Sequence, residues 1–230
     1  MTTLTFGELS FELRESARRR TIGITVERDG SLVLATPPAV PKEQLERIVE
    51  KRRFWIYSKL TKKEALQPPA DSKRYLPGEG FYYIGRSYRL KLVDTAQNPL
   101  RLYQSRFELL RSQQHQGREH FTHWYRQRLK AYLQPIIAST ACRIEAEPRK
   151  YQVRELGNRW GSCSSQSDIY FHWRVALLPR TIIDYVVTHE MVHLVQPGHT
   201  KAFWERVERI LPDWRDRKSW LAKNGALYDL

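Results

Sequence analysis

Cysteine is scarce in this sequence, which has only Cys142 and Cys163 among its 230 residues. The two lie 21 positions apart, and neither belongs to a CxxC pair of the kind that holds structural zinc. This scarcity excludes a cysteine-based metal site. We interpret the WGSCS segment around Cys163 as a structural loop and not as the place of a thiol nucleophile.

Long apolar runs are also missing. No window approaches the roughly 18 to 20 apolar residues that a membrane span needs, so we predict a protein without membrane-spanning segments. Residues 1–15 alternate polar, acidic and apolar side chains and lack the basic start and apolar stretch of a signal peptide. We therefore expect a cytoplasmic protein whose two thiols are reduced.

Positive charge is what the sequence has in excess. It contains 39 Lys and Arg against 25 Asp and Glu, a formal net charge of +14. With 41% hydrophobic and 12% aromatic residues, the chain is expected to fold. The charge favours polyanionic partners such as non-specifically bound nucleic acid, but solvated helix faces explain it equally well, since no nucleic-acid motif is present.

The first half of the chain reads as β-rich with one long helix. Apolar and polar residues alternate within residues 9–36, and Asp29 and Gly30 mark a hairpin turn. A helix is predicted over residues 41–66, a Pro- and Gly-rich connection follows to residue 80, and two strands are predicted at 81–92 and 101–110. We place a domain boundary after residue 112, which predicts domains at 1–112 and 113–230.

The second half alternates helices and short strands. A helix is predicted over residues 118–140, kinked or shortened at Pro135. Strands at 150–156 and 168–175 enclose a polar loop at 157–167, and a helix begins at Pro179 and runs through residues 189–193. Two more helices are predicted at 200–211 and 213–223, so the whole chain is assigned to the α+β class.

The clearest chemical signal is the HExxH motif at residues 189–193. On a helix, His189 and His193 lie four positions apart on one face, so both imidazoles can reach one metal ion while Glu190 lies beside it. The alternative is a pair of ordinary core or capped histidines with an exposed glutamate. We favour the metal site because a glutamate at the apolar end of a buried helix is costly unless a cation compensates it.

A third metal ligand is needed for an open catalytic zinc site. His199 follows Pro197 and Gly198, where the chain can turn back toward the ion. Glu205 and Glu208 on the next predicted helix are the alternatives, and we favour His199. The spacing matches metzincins, but Gln196 replaces their glycine and no methionine follows Met191, so the chain is not a metzincin.

Four segments of this sequence closely resemble the YgjP-like, or SprT-like, metallopeptidase family: NRWGSCS at 158–164, HWRVALLP at 172–179, IDYVVTHEMVHL at 183–194 and GHTKAFW at 198–204. The resemblance implies zinc ligands at His189, His193 and His199, catalysis by Glu190, and a minimal zincin-like fold with an HExxH active-site helix in the C-terminal half. His172 departs from the family's usual asparagine, and Met191 and Val192 replace a common Leu-Cys pair.

The predicted function is a zinc metallopeptidase that hydrolyses protein or peptide substrates through a zinc-bound water activated by Glu190. The alternative is a non-hydrolytic nucleic-acid-binding protein with a structural zinc site. Residues 169–174 are either the sheet edge that receives substrate or an ordinary core strand. Four side chains are candidates for stabilising the oxyanion, and the sequence does not choose among them: Tyr170, His172, Arg174 and Tyr185.

Overall fold

A computed structural model describes residues 2–27, 31–64, 73–157 and 159–230. Within these ranges the chain has three β-sheets and five α-helices, which confirms the mixed α+β class. The chain divides into two units, Met1–Pro69 and Ala70–Leu230. The predicted boundary after residue 112 lies inside the second unit, because the strands before it and the helix after it share one hydrophobic core. No helix in the described ranges has the length and apolar character needed to cross a bilayer.

The first unit contains a four-stranded sheet and one helix. Its strands, in the spatial order β1-β2-β4-β3, are β1 at Thr2–Phe6, β2 at Leu9–Glu15, β3 at Gly23–Val26 and β4 at Leu32–Thr36. The antiparallel pairing of β3 with β4 confirms the predicted hairpin, whose Asp29-Gly30 turn lies outside the described residues. Helix α1 at Lys42–Glu64 adds Leu45, Val49 and Ile56 to the core formed by the sheet.

The second unit begins with another four-stranded sheet, in the order β5-β6-β8-β7. Its strands are β5 at Gly80–Tyr83, β6 at Arg86–Val93, β7 at Leu100–Tyr103 and β8 at Arg106–Leu110. The prediction of two long strands is wrong here, because each of them folds into a hairpin. The turns are Ile84-Gly85 and Gln104-Ser105, and all four residues have positive φ angles. Asn-Gly pairs are typical of such turns, so the sequence signal was weak.

The β5-β6 turn connects this sheet to the segment that precedes the motif helix. The Ile84 amide donates to the Ala176 carbonyl, and the Gly85 amide donates to that of Leu177. A Cβ atom on Gly85 would lie 2.8 Å from the Cα atom of Pro179. Glycine is therefore required at position 85 both by its φ of 77° and by the close approach of another backbone.

Replacing Gly85 by alanine is expected to destabilise the fold more than the same change at Gly157. Both glycines have positive φ, but a Cβ atom on Gly157 meets nothing within 4 Å. Backbone strain should cost each variant about 1–2 kcal/mol, and overpacking against Pro179 should add about 1–3 kcal/mol at position 85 only. Urea unfolding of both variants measures the difference, and equal losses would contradict it.

The largest core of the second unit forms around a long helix, α2 at Gly117–Ile144. Pro135 lies inside this helix, which continues to Ile144, so the predicted shortening at the proline does not occur. The residues on both sides of the proline, Leu133 and Ile137, are buried in the same core, so their packing offsets the lost backbone hydrogen bond. Phe81 of β5 stacks on Phe121 of α2 at 4.1 Å between ring centroids.

A small three-stranded sheet follows, with β9 at Lys150–Arg154, β10 at Gly161–Cys163 and β11 at Asp168–His172. Its order is β10-β11-β9. Of the two alternatives for residues 169–174, the structure supports the ordinary core strand, because β11 is hydrogen-bonded to a neighbouring strand on each side. The two edge strands are β9 and β10. Strand β10 lies in the segment predicted to be a loop, since its small residues carry no strand pattern.

Three helices complete the chain: α3 at Arg180–Val192, α4 at Lys201–Ile210 and α5 at Trp214–Asn224. They match the predicted segments to within a few residues. Helix α3 buries apolar residues such as Ile183, Val187 and Met191 in the main core. Helix α4 begins where the Thr200 hydroxyl accepts a hydrogen bond from the Phe203 amide, a typical N-cap.

Candidate metal centre

Three histidines converge at the end of helix α3. His189 is on the helix, His193 is its C-cap residue, and His199 is in the loop that follows. Each ring offers one nitrogen as a metal ligand, and these three nitrogens all lie within 4.8 Å of one another. The Nε2 atoms of His189 and His199 are 3.0 Å apart. Within the described residues this is the only group of three such side chains.

The loop after α3 is short and held at both ends. The amide of Gln196 donates to the Val192 carbonyl, which continues the helix by a turn before Pro197 interrupts it. At the other end Thr200 caps helix α4, so His199 is the last residue before that cap. Phe203 on α4 packs against all three imidazoles, with ring centroids 4.6–5.1 Å away. The triad therefore rests on an apolar floor.

The donor groups suit a divalent cation. Burial, together with the nearby His193 and His199, lowers the pKa of His189 to about 3. Burial also lowers the pKa of His199, with smaller effects from His193 and Lys218. Both rings are therefore neutral near pH 7, the state that binds metal. The Nδ1 of His193 lies 3.2 Å from the Gln196 carbonyl, to which it donates, so its Nε2 is free to coordinate.

Distances within the triad also fit. Nitrogen ligands bound to a tetrahedral zinc ion at about 2.0–2.1 Å are roughly 3.3–3.4 Å from each other. The 3.0 Å between the Nε2 atoms of His189 and His199 is close to that value. A small ring rotation would bring the two nitrogens to the spacing of a shared ion.

Glu190 lies beside the triad in a cavity of roughly 600 Å³. The residue is 7% exposed, and its side chain packs closely against β10: a Cβ atom on Gly161 would lie 2.5 Å from the Glu190 Cγ. Burial raises the pKa of Glu190 to about 8, although Arg159 acts in the opposite direction. The cavity is lined by Gly161, Ser162, Cys163, Ser164, Ser165, Ser167, His189, Glu190, His193, Leu194, Pro197 and His199.

Comparison with known proteins identifies the family of this chain. Residues 20–224 match the profile of the YgjP-like metallopeptidase domain, which is most of the chain. The chain belongs to the YgjP-like metallopeptidase family. This confirms the resemblance found in the sequence motifs. Membership of a metallopeptidase family implies a metal cofactor and a peptidase role for this chain.

One solved structure is similar to this YgjP-like chain: the zymogen of the metallopeptidase abylysin from Pyrococcus abyssi. The two share 18% identity, and the match covers 38% of this chain and 89% of abylysin with a TM-score of 0.36. A comparison with curated protein sequences found no match.

The alternative third ligands of this YgjP-like metallopeptidase lie elsewhere. Glu205 is exposed and pairs with Lys201 at 3.6 Å, and Glu208 pairs with Arg215 at 2.5 Å. Neither belongs to the histidine cluster. Of the sequence-derived ligand candidates, the structure brings together the three histidines alone.

Three of the four oxyanion candidates are engaged away from the triad. The Tyr170 hydroxyl donates to Asp168, the His172 ring bonds the Glu155 carboxylate, and Arg174 pairs with Asp229. Tyr185 is different, since its ring centroid is 5.9 Å from that of His189. It is the one candidate of the four whose ring contacts the YgjP-like site.

Sequence reasoning missed the part that β10 has in this site. Gly161 brings its backbone against Glu190, and Ser162 and Cys163 line the cavity, although the segment had been interpreted as a loop. It also missed Lys218 on α5, whose Nζ lies 4.3 Å from the centroid of the Trp204 ring. Trp204 in turn stacks on His199 at 5.7 Å. Gly161 was the available signal for the part played by β10, because a glycine allows a close approach of the backbone.

Proposed function

We propose that this chain is a zinc-dependent peptidase in which His189, His193 and His199 hold the ion and Glu190 is the general base. The observation that supports it best is the convergence of three imidazoles beside a buried glutamate in one open cavity. Three nitrogen donors suit zinc, as well as copper or nickel, and a position left open to solvent is typical of catalytic zinc. A structural site would be closed by a fourth protein ligand.

Zinc, when bound, supplies a Lewis acid that lowers the pKa of water and polarises the scissile carbonyl. Glu190 accepts the proton of the attacking water and passes it to the leaving amine nitrogen as the peptide bond breaks. A cation beside the carboxylate favours its ionised form, which offsets the effect of burial on the Glu190 pKa. The Phe203 ring packs against all three imidazoles and so restricts their orientation during this proton transfer.

Strand β10 is our candidate for the substrate-binding edge. Its pairing with β11 leaves the other side of Gly161–Cys163 unpaired within the described sheet, and the same residues line the cavity. An extended peptide added along β10 would place its backbone beside Glu190 and the triad. The small side chains of Ser162, Cys163 and Ser164 leave room for it.

The proposed function is tested by metal removal and replacement. Untagged protein is treated with a chelator, and cleavage of an unfolded, fluorescently labelled casein is followed before and after zinc is restored. We expect about one zinc per chain, loss of cleavage in the metal-free protein and recovery with zinc. Undiminished cleavage without metal would refute the proposal. Full zinc occupancy without any cleavage would favour the alternative of a structural site.

The contact between Gly161 and Glu190 makes a further prediction. In Gly161→Ala the added methyl group would lie 2.5–2.7 Å from Glu190 side-chain atoms, so the carboxylate must move. We expect kcat to fall about 100-fold, the scale of a misplaced catalytic group, while zinc binding stays unchanged. Gly157→Ala is the control, because its methyl group meets nothing within 4 Å. Full activity of Gly161→Ala would show that Glu190 is not held by β10.

A further inference from the structure

The outer face of the β5–β8 sheet is strongly basic. Alternate residues of these strands point inward to the core of the second unit: Phe81, Leu90, Leu92, Leu100, Phe107 and Leu109. The residues between them form what we name the basic sheet face, defined by Arg89, Lys91, Arg101, Tyr103 and Arg106. Because side chains alternate along a strand, these five lie on the side away from the core.

Two arginines on this face stand directly opposite each other. Arg89 of β6 is the register partner of Arg106 of β8, and Arg106 is the partner of Tyr103 of β7. Neighbouring strands are about 4.8 Å apart, so the three side chains form a transverse row. Like charges in directly opposite positions destabilise a sheet unless an anion lies between them. The row is therefore a position at which a negative group would be stabilised.

Among the residues that the structure describes, no acidic side chain pairs with Arg89 or Arg106. Glu108 is the only acidic residue within the four described strands, and it is engaged by Arg101 at 2.7 Å and by Lys91 at 3.6 Å. The Arg89 guanidinium donates to the Gly78 carbonyl, which fixes its position without removing its charge. In the part of the chain that the structure describes, the Arg106 side chain has neither an ion pair nor a hydrogen bond.

A concavity of roughly 600 Å³ opens beside the two arginines. Arg89, Lys91, Arg106 and Arg111 contribute to its lining, and none of the described side chains that line it is acidic. Arg111 pairs with Asp94, but that aspartate is 79% exposed and the pair is at the surface, where ion pairs are weak. The concavity can therefore receive a phosphate group and the sugar attached to it.

An aromatic ring lies at one end of the row. Tyr103 is 47% exposed, and the Arg101 guanidinium lies 4.7 Å from its ring centroid. The arginine orients the ring while much of it stays open to solvent. Base stacking on an exposed aromatic ring next to phosphate-binding arginines is the usual way in which proteins bind unpaired nucleotides.

We propose that the basic sheet face binds single-stranded nucleic acid, with phosphates held by Arg89 and Arg106 and a base stacked on Tyr103. An acidic peptide would satisfy the arginines but has no flat ring for Tyr103, and a free anion would leave the tyrosine unused. None of the five residues belongs to the metal centre. The inference is therefore independent of the proposed peptidase function.

The proposal is tested by fluorescence anisotropy with the full untagged chain and a labelled oligothymidine of roughly twelve nucleotides, within the ~4–16 that such sites cover. Binding is measured over a salt series. Arg106→Gln and Arg89→Gln are each expected to weaken binding at least about 5-fold at about 0.1 M NaCl, and to reduce the slope of log K against log salt by about 0.7. Arg126→Gln on α2 is the control. This change removes the same charge from an exposed side chain outside the basic sheet face. The affinity of this variant for the oligothymidine should change less than about 2-fold.

Stacking is tested separately. Tyr103→Ala should weaken binding about 10-fold, as expected for loss of one stacked base, whereas Tyr103→Phe should bind like the natural chain. Glu190→Gln should also bind normally, which separates this result from any failure of the peptidase proposal. Equal losses in Arg126→Gln, no effect of Tyr103→Ala, or equally strong competition by polyglutamate or inorganic phosphate would overturn the proposal. The last result would identify an acidic peptide or a small anion as the occupant.

Discussion

Glu190→Gln is expected to lower kcat for peptide hydrolysis by about 100-fold to 10 000-fold, the range attributed to general acid–base catalysis. Glutamine has nearly the same shape but cannot accept the water proton. Zinc content should remain at about one ion per chain, because Glu190 is not part of the group of three ligand nitrogens. A quenched fluorescent peptide gives the rate, and elemental analysis of the same preparation gives the metal.

The matched control for this prediction is Glu205→Gln. Glu205 is on helix α4, is exposed, and pairs with Lys201 at 3.6 Å, so its replacement should change neither rate nor zinc content. If Glu190→Gln kept the full rate with zinc bound, the site would be structural and the peptidase proposal would fail. If Glu205→Gln lost zinc, the third ligand would be the carboxylate and not His199.

His199→Ala is expected to weaken zinc binding by well over 100-fold. Loss of a residue that merely orients a ligand costs about 10-fold to 100-fold in affinity, and loss of the ligand itself should cost more. Stability should follow, because a ligand at 100 times its Kd stabilises the folded state by about 2.7 kcal/mol. Zinc should therefore raise the melting temperature of the natural chain far more than that of the variant. Competition with a chromogenic chelator gives the affinity, and thermal unfolding with and without zinc gives the shift.

The control for this prediction is His115→Ala. His115 is exposed in the short helical segment Arg111–Gln116 and does not belong to the cluster. Its replacement removes one imidazole without touching the proposed centre. Equal zinc affinity of His199→Ala and His115→Ala would show that the His199 ring is not a ligand, despite its position 3.0 Å from His189.

Much of the second half of the chain followed from local pattern. Helices α3, α4 and α5 have strong signals: a proline near the start of α3, Thr200 as N-cap of α4, and apolar residues at helical spacing. Strand β10 could not be predicted, because Gly161 and Ser162 have no strand preference and pair only through β11. The turn at Gln104 and Ser105 was missed for a related reason, since neither residue is a usual choice for positive φ.

Pro135 shows the opposite case, because the helix is not shortened there although proline is a strong local signal against a helix interior. Proline removes a backbone donor and disfavours a helix interior, yet α2 continues to Ile144. Burial of Leu133, Ile137 and Ala141 in one core stabilises the helix on both sides of the proline. The domain boundary differed for the same reason: the β5–β8 sheet and α2 bury their apolar faces against each other, and an interruption in composition near residue 113 does not reveal this.

The sequence by itself determined which residues could form the centre, because HExxH on a helix and a histidine six positions later depend only on spacing and residue type. Their assignment as zinc ligands stays a prediction. Tertiary structure alone decided that the three rings meet on Phe203 and that Gly161 contacts Glu190. It also decided that Arg89 of β6 lies directly opposite Arg106 of the neighbouring strand β8. These contacts join residues far apart in the chain, and their geometry depends on sheet register and core packing, which no local pattern encodes.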